Sequence, residues 1–398
     1  MSHFVPLEVS VFDAAFTLDP YPFIEHLYEQ EEVLGFTSEG MNFCFRFEDC
    51  HDLIAAHKNV AREPVSVDEA ANKLFSENYP ARAWHYQYSL TDVKAKALLG
   101  RYLTMLLDKL RVDDIERAFS RFRQSGRHDD YMIEVRLLPM RMLLSAWGFT
   151  YTDAQLTSLY DDSVALVKSF EHFDNEAMLR KGDEAMSRTR AYVAEQFNNA
   201  PAGTLLDEFS RASREAGFDD NDGIASLVTF VQSTPNTLSV STALMLRNIM
   251  RYPDAVAPLR ENPDRVSESI IMEFLRRDNH VKALSRQVHN SFTLRGKDLA
   301  VGDSLFIFYP GVNMDPTHWD APLTLNFKRE FTRDNHNIFG GSRYSCIGSR
   351  IALKYFSYVL PSMLANVDKG SRLIKEEIEV DGEWIAERVI TKLPILVP

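Results

Sequence analysis

Cysteine is scarce in this chain: Cys44, Cys50 and Cys346 are the only three among 398 residues. An odd, sparse set excludes a disulfide framework and fits a reducing compartment. No C-x-x-C pair occurs, which removes the usual structural zinc arrangements. Nowhere does an uncharged apolar run approach the roughly 18 residues that a membrane-spanning helix needs. The N-terminus, "MSHFVPLEVSVFDAAF", lacks a basic segment leading into a long apolar one, so no secretory leader is expected. Together these absences predict a cytoplasmic protein with no membrane partner. Lysine and arginine form no block, and 57 acidic against 44 basic side chains leave a formal charge of −13. That balance repels nucleic acid. Repeats and low-complexity tracts are missing as well, while a 45% hydrophobic composition is ample for a core and excludes disorder.

What the chain does have is helical periodicity. Residues 20–57 suggest a short helix, two strands around "VLGF" and "NFCFRF", and a helix from about Asp49. Alternation around Cys44 and Cys50 marks them as ordinary semi-buried side chains. Residues 60–90 are irregular and aromatic, the composition of a functional loop. Helical spacing then runs from Asp92 to about Ala146, and again near 152–175 and 178–198. A long apolar helix is expected over 223–251, buried through the middle of the molecule, with Pro235 distorting it at a cost of roughly 3 kcal/mol unless a kink accommodates the ring. Helices near 254–262 and 266–276 precede short strands at "HVKALSRQV", "SFTL" and "DSLFIFY". A last major helix opens beyond Cys346, and a strand-turn pair closes the chain. The expected fold is mainly α with small β-sheets, and no linker divides residues 1–398 into more than a single domain.

Cys346 lies in "FGGSRYSCIG", residues 339–348. Gly340 and Gly341 permit a tight turn, and Gly348 allows something flat to approach the start of the next helix. A helix N-terminus stabilises a thiolate through its free N–H groups and end dipole. Those features suit an axial ligand to haem iron. A nucleophile would want a histidine base, and His336 gives no specific signal. A buried filler cysteine also stays open on these residues alone.

The stretch resembles the haem-binding loop of the cytochrome P450 family, F-G-x-G-x-(H or R)-x-C-x-G. Phe339, Gly340, Cys346 and Gly348 fall on that pattern, and Ala352 matches the small residue in the following helix. Ser342 replaces a glycine. Tyr344 stands where His or Arg contacts a haem propionate, with Arg343 one residue off. "EFLR", Glu273 to Arg276, resembles the family's E-x-x-R, whose spacing puts both side chains on one helix face. "HVKALSR" is similar to the strand whose terminal arginine, here Arg286, reaches a propionate. In "VNMDPTHWDAPLTLNFKRE", Asn313, Asp315, Pro316 and Phe327 match a further family segment, with Met314 in place of an arginine and Trp319 near an aromatic position. "LDPYPFIEHL" resembles the family's opening. The resemblance spans nearly the whole chain and implies the cytochrome P450 fold, one domain around a buried haem b (iron protoporphyrin IX) with Cys346 as metal ligand.

It also implies roles for the long helix. "STPNT", Ser233 to Thr237, falls on the family's A-G-x-(D or E)-T. Thr237 keeps the hydroxyl that meets dioxygen, while Asn236 replaces the acid. An amide orients water without carrying a proton by ionisation. Asp92 and Lys96 occupy the positions of a propionate-binding H-x-x-x-R, and lysine supplies a less rigid charge than arginine. The implied activity is a haem-thiolate monooxygenase that inserts one atom of dioxygen into a small or medium organic substrate, an oxidoreductase plausible in specialised metabolism. Peroxide-driven or non-redox chemistry (peroxygenase, isomerase or dehydratase) is the alternative, and a haem-free partner-binding relative is a third. Electrons are expected from a ferredoxin or flavodoxin-type donor with its reductase; Lys94, Arg101, Lys109, Arg111, Arg350 and Lys354 are either its basic docking patch or dispersed solvent-facing charges; a monomer is expected. Substrate contacts are expected from Trp84, Tyr86, Tyr88, Phe230, Ser233, Thr234, Lys282, Ala283, Leu284 and Ile390.

Overall fold

The computed structural model describes residues 4–55, 60–61, 93–172, 175–341 and 345–398. Helix dominates. The principal helices are α1 (Phe47–Ala55), α2 (Val93–Leu106), α3 (Leu138–Trp147), α4 (Asp153–Glu171), α5 (Glu176–Asn198), α6 (Leu205–Glu215), α7 (Asp220–Ser233), α8 (Pro235–Arg251), α9 (Glu268–Arg277) and α10 (Ser349–Asn366). Local chemistry sets their ends. Capping boxes open α4 at Thr152 with Gln155 and α7 at Asp219 with Asp222, each satisfying two otherwise orphaned N–H donors. Gly148, left-handed at φ 92°, ends α3, a conformation costly for other residues.

Where one kinked helix over 223–251 is expected, two helices form. Ser233 ends α7, Thr234 bridges at φ −90° and ψ −41°, and Pro235 is the first residue of α8. The proline therefore sits where its missing N–H has no intrahelical acceptor to lose. Beyond it α8 is buried continuously from Leu238 to Ile249. The other expected helices lie within a few residues of their bounds, whereas α6 at Leu205–Glu215 was not expected. The stretch from Asp92 to Ala146 departs further: it breaks into α2, a turn at Leu107–Lys109, shorter helices, and a strand at Gly126–His128. That strand pairs antiparallel with Ile395–Val397, a long-range partnership with no local sequence signature.

Six strands form the main sheet: β1 (Phe4–Pro6), β2 (Gly35–Ser38), β3 (Met41–Cys44), β4 (Val60–Ala61), β5 (Ala283–Val288) and β6 (Ser304–Phe308), in spatial order β1-β2-β3-β6-β5-β4. β5 pairs antiparallel with β6, placing Arg286 opposite Leu305. One large apolar cluster joins the helices, with Trp147 packed between Tyr102, Phe209 and Phe230. A second lies between the sheet and α1 and contains Cys44 and Cys50. Both cysteines are fully buried rather than semi-buried, and burial pushes both thiols up. They are core side chains.

Candidate functional site

Cys346 is exposed and stands three residues before the first residue of α10. Its backbone N–H donates to Phe339 O at 2.9 Å, which closes the 339–346 loop, and Ser349 N–H donates to Cys346 O at 3.3 Å. Gly340 takes φ 68°, so the glycine there is required by the turn. A methyl group on Gly348 would lie 3.7 Å from Cys346 Sγ, and one on Gly341 would press against Ile54 at 3.1 Å. Phe339 packs against the helical core. Arg343 and Tyr344, the propionate contacts expected from the resemblance, lie outside the described residues, as do Asp92 and the aromatic segment with Trp84, Tyr86 and Tyr88.

Two further basic residues are brought toward this loop. Ile347 Cδ1 approaches Gly100 of α2 at 3.8 Å from where its Cβ would be. Lys96 lies one turn earlier, and i, i+4 spacing puts it on the same helix face. Arg286 is almost fully buried on β5. Strand alternation gives it the same face as Leu284 and Val288, which pack with Cys50, Leu53 and Ile54. Ile54 in turn touches the turn at Gly341, so Arg286 approaches the cysteine loop from the sheet side.

The α7–α8 junction carries the second group of expected residues. Ser233 is exposed and Thr234 and Thr237 are partly so, although the helices on either side are buried. The hydroxyls close on their own turn: Ser233 to Thr229 O at 2.7 Å, Thr234 to Phe230 O at 2.6 Å, and Thr237 to Ser233 O at 3.0 Å and Thr234 O at 3.1 Å. Helix α8 is tied to α10 through Thr242 Oγ1 and Tyr355 Oη, 3.2 Å apart. An accessible sulfur heads one of these helices and an accessible hydroxyl turn begins the other. The donor set fits a thiolate-ligated haem: a soft axial ligand, flanking glycines that leave room for a flat group, and two basic residues on elements that adjoin the loop.

Glu273 and Arg276 do not reach Cys346 in any described contact; they build the frame. Both are fully buried and joined by two hydrogen bonds of 2.8 and 2.9 Å. Arg276 also donates to Asn313 O at 2.8 Å and Thr324 O at 3.3 Å. Glu273 accepts from Asn326 N at 2.8 Å and Arg329 Nε at 3.3 Å. The pair therefore pins the 313–329 segment to α9. Arg329 was not foreseen, although it stands two residues after the matched Phe327. Asp315, also matched, caps α1 by accepting from Phe47 N at 2.8 Å.

Asn236 departs most from expectation. It is buried at 3% exposure, and its amide is already engaged: Nδ2 donates to Glu387 Oε2, and Oδ1 accepts from Tyr160 Oη at 3.2 Å. Burial raises the Glu387 carboxyl to about 7 against the opposing pull of the Asn236 hydrogen bond. Neither Glu387 nor Tyr160 carried a local signal; Glu387 lies in "WIAERVI", which suggests only a strand. Two proposed substrate contacts also change. Lys282 is buried, donates to Val11 O at 3.1 Å and lies over the Phe12 ring, and Ile390 belongs to the helical core. Leu284 and Ser285 keep partial exposure on β5.

Comparison with known proteins agrees with this geometry. The sequence profile of the cytochrome P450 family matches residues 157–368. "Cytochrome P450 144" of Mycobacterium tuberculosis is 23% identical over 96% of this chain and 89% of its own length. A "C-19 steroid 1alpha-hydroxylase" of Sorangium cellulosum is 23% identical over 63% of this chain and 62% of its own. In structure, CalO2 superposes with a TM-score of 0.75 at 19% identity, covering 98% of this chain and 99% of that one. P450BioI, solved with an acyl carrier protein bearing hexadec-9Z-enoic acid, gives 0.77 at 13% identity, covering 97% and 99%. Among the described residues no helix is long and apolar enough to cross a membrane.

Proposed function

The chain belongs to the cytochrome P450 family of haem-thiolate monooxygenases, and on that premise we propose that Cys346 ligates haem b and that the Ser233–Thr237 turn forms the oxygen side of the chamber. The observation that carries this reading is the pairing of an accessible cysteine before α10 with an accessible hydroxyl turn at the only break between two otherwise buried, mutually packed helices, α7 and α8. When bound, thiolate-ligated haem supplies dioxygen activation: with two electrons and two protons, one oxygen atom enters a substrate C–H bond and the other leaves as water.

The protein's own residues do the rest. Lys96 and Arg286 place positive charge where propionates would sit. Thr237 presents its Oγ1 to the reacting oxygen. Its hydrogen is returned to the carbonyls of Ser233 and Thr234, which leaves lone pairs free to take part in proton transfer. Leu284 and the hydroxyls of Ser233 and Thr234 bound a chamber for an organic substrate with an apolar body and a few polar handles. Lys94, Arg101 and Arg350 are exposed and offer an acidic ferredoxin or flavodoxin-type donor a basic approach on the cysteine side.

Labelled dioxygen with a surrogate ferredoxin system tests the reaction class. Label is expected in the product, and product formed equally well without electrons and without label would reject monooxygenation. Thr237→Ala should divert electrons to peroxide, because the oxygen loses its hydrogen-bonding partner at the protonation step.

A further inference from the structure

Glu387 is an acid placed beside Asn236, at the position where the helix carries an amide instead of an acid. It is partly buried, and among the described residues it forms no ion pair; its hydrogen-bond partner is the neutral amide of Asn236. Three walls meet on it. From α8 comes Asn236, the residue before Thr237 in the chain. From the segment leading into β5 come Val281, bridged to Glu387, and its neighbours: Lys282 N–H donates to Ala386 O at 2.7 Å and Arg388 N–H to His280 O at 2.7 Å. From α4 comes Tyr160, which holds the far side of the Asn236 amide at 3.2 Å.

The cations nearby are turned away. Strand alternation sends Arg388 to the opposite side from Glu387, where it binds Asp278 at 2.8 Å and the carbonyls of Thr17 and Leu18. Lys282 is committed to Val11 O. Arg136 lies over the Tyr160 ring, 5.4 Å from its centroid. A surface carboxylate without a cation is unremarkable, but one withdrawn into a helix junction and clamped by an amide is not.

We propose that Glu387 is the proton-supplying carboxyl group of this chamber, taking over the role that residue 236 lost as an asparagine, with Asn236 as the positioning residue that fixes it beside Thr237. The proposal rests on the reading that the 233–237 turn faces the reacting oxygen. In the step, the O–H bond of the Glu387 carboxyl breaks and its proton passes through water to Thr237 Oγ1. The carboxylate left behind takes a proton back from bulk water, and no electron moves. Glu387 alone titrates near neutrality among the groups facing this junction: its carboxyl is raised to about 7, His280 is lowered to about 4, and Tyr160 is raised above its ordinary phenol range. Asn236 has its Nδ2 fixed as donor by the carboxylate and its Oδ1 fixed as acceptor by the tyrosine.

The test compares the haem-loaded wild type with Glu387→Gln, Glu387→Asp and Asn236→Leu. The first readout is independent of turnover: the infrared band of protonated carboxyl, followed from about pH 5 to about pH 9. One carboxyl is expected to lose its proton near neutrality in wild type, to be missing in Glu387→Gln, and to titrate at higher pH in Asn236→Leu, where the bond favouring the charged form is gone. The second is the division of electrons between product and peroxide. Glu387→Gln should lower product per electron by about tenfold or more and remove the near-neutral limb of the pH profile, with partial return in Glu387→Asp. A carboxyl band that does not titrate near neutrality, or unchanged coupling in Glu387→Gln, would overturn the proposal. So would unchanged coupling accompanied by lost binding of a quaternary alkylammonium probe, which would make Glu387 a substrate counter-ion instead. The two readings fail separately: intact coupling in Thr237→Ala removes the oxygen-side assignment itself, whereas intact coupling in Glu387→Gln alone removes only the carboxyl's role.

Discussion

Glu273 and Glu387 are two carboxylates withdrawn from water within one chain, and their surroundings are opposite. Glu273 meets two guanidinium groups and a backbone N–H. Glu387 meets one neutral amide. A buried charge with every lone pair matched holds structure together, and removing a partner strands the remainder. A carboxyl with a single neutral partner keeps its proton into the neutral range and remains able to release it. The first belongs to the frame that fixes the 313–329 segment; the second belongs to chemistry.

The largest expected effect breaks the frame. Arg276→Ala leaves the Glu273 charge buried beside Arg329 alone, at a cost of about 3–5 kcal/mol, and two backbone carbonyls lose their donor. Urea denaturation and the yield of haem-loaded protein measure it, and a loss below about 1 kcal/mol would remove the distinction between the two sites. Asp278 sharpens the same side. It bonds Arg247 and Arg388 at 2.8 Å each, which holds its carboxyl below the usual range. Its contribution is present above the ordinary aspartate value and is lost only in stronger acid. Asp278→Asn should therefore cost stability at pH 7 and cost less as the pH falls toward that range.

Glu387→Gln has a smaller effect of opposite sign. Between the ordinary carboxyl value and about 7, folded Glu387 holds a proton that the unfolded chain has released. Stability from this group therefore falls as pH rises through that window. The substitution should flatten the fall and leave the protein no less stable at about pH 8 relative to its own value at low pH. Thermal or urea unfolding of both proteins across pH gives the difference curve, in which the opposite contribution of His280 cancels. Smallest of all is the surface pair Arg214–Asp220. Its 2.7 Å separation is close to that of Glu273–Arg276, but both side chains are nearly half exposed. Arg214→Ala should change stability by under about 1 kcal/mol; distance alone does not rank ion pairs.

Most helix positions (α6 excepted), the cysteine loop and the Glu273–Arg276 pair were legible because each is written in short-range spacing: apolar periodicity, a glycine-rich turn, a three-residue offset. The break at Thr234 was half visible, since Pro235 announced a distortion but not that it would become the first residue of a new helix. Glu387 was invisible for a physical reason. Its partner is 151 residues away, and nothing in a strand-forming "ERV" says which of two adjacent charges turns inward. The strand at Gly126–His128 was hidden likewise, since its pairing with Ile395–Val397 is the only thing that makes it a strand. Asn236, expected to orient water, lies in the helix with its amide bonded to Glu387 and Tyr160, partners that no local spacing marks.

The oxygen-side roles of Thr237 and Glu387 depend on Cys346 being the thiolate ligand. The most direct measurement is the absorption spectrum of the reduced, carbon monoxide-bound protein, wild type beside Cys346→Ala. The account predicts the strongly red-shifted Soret band of thiolate-ligated haem in wild type and its loss in the variant. A folded wild type that binds haem stoichiometrically yet shows only the unshifted band, unchanged by Cys346→Ala, would contradict it.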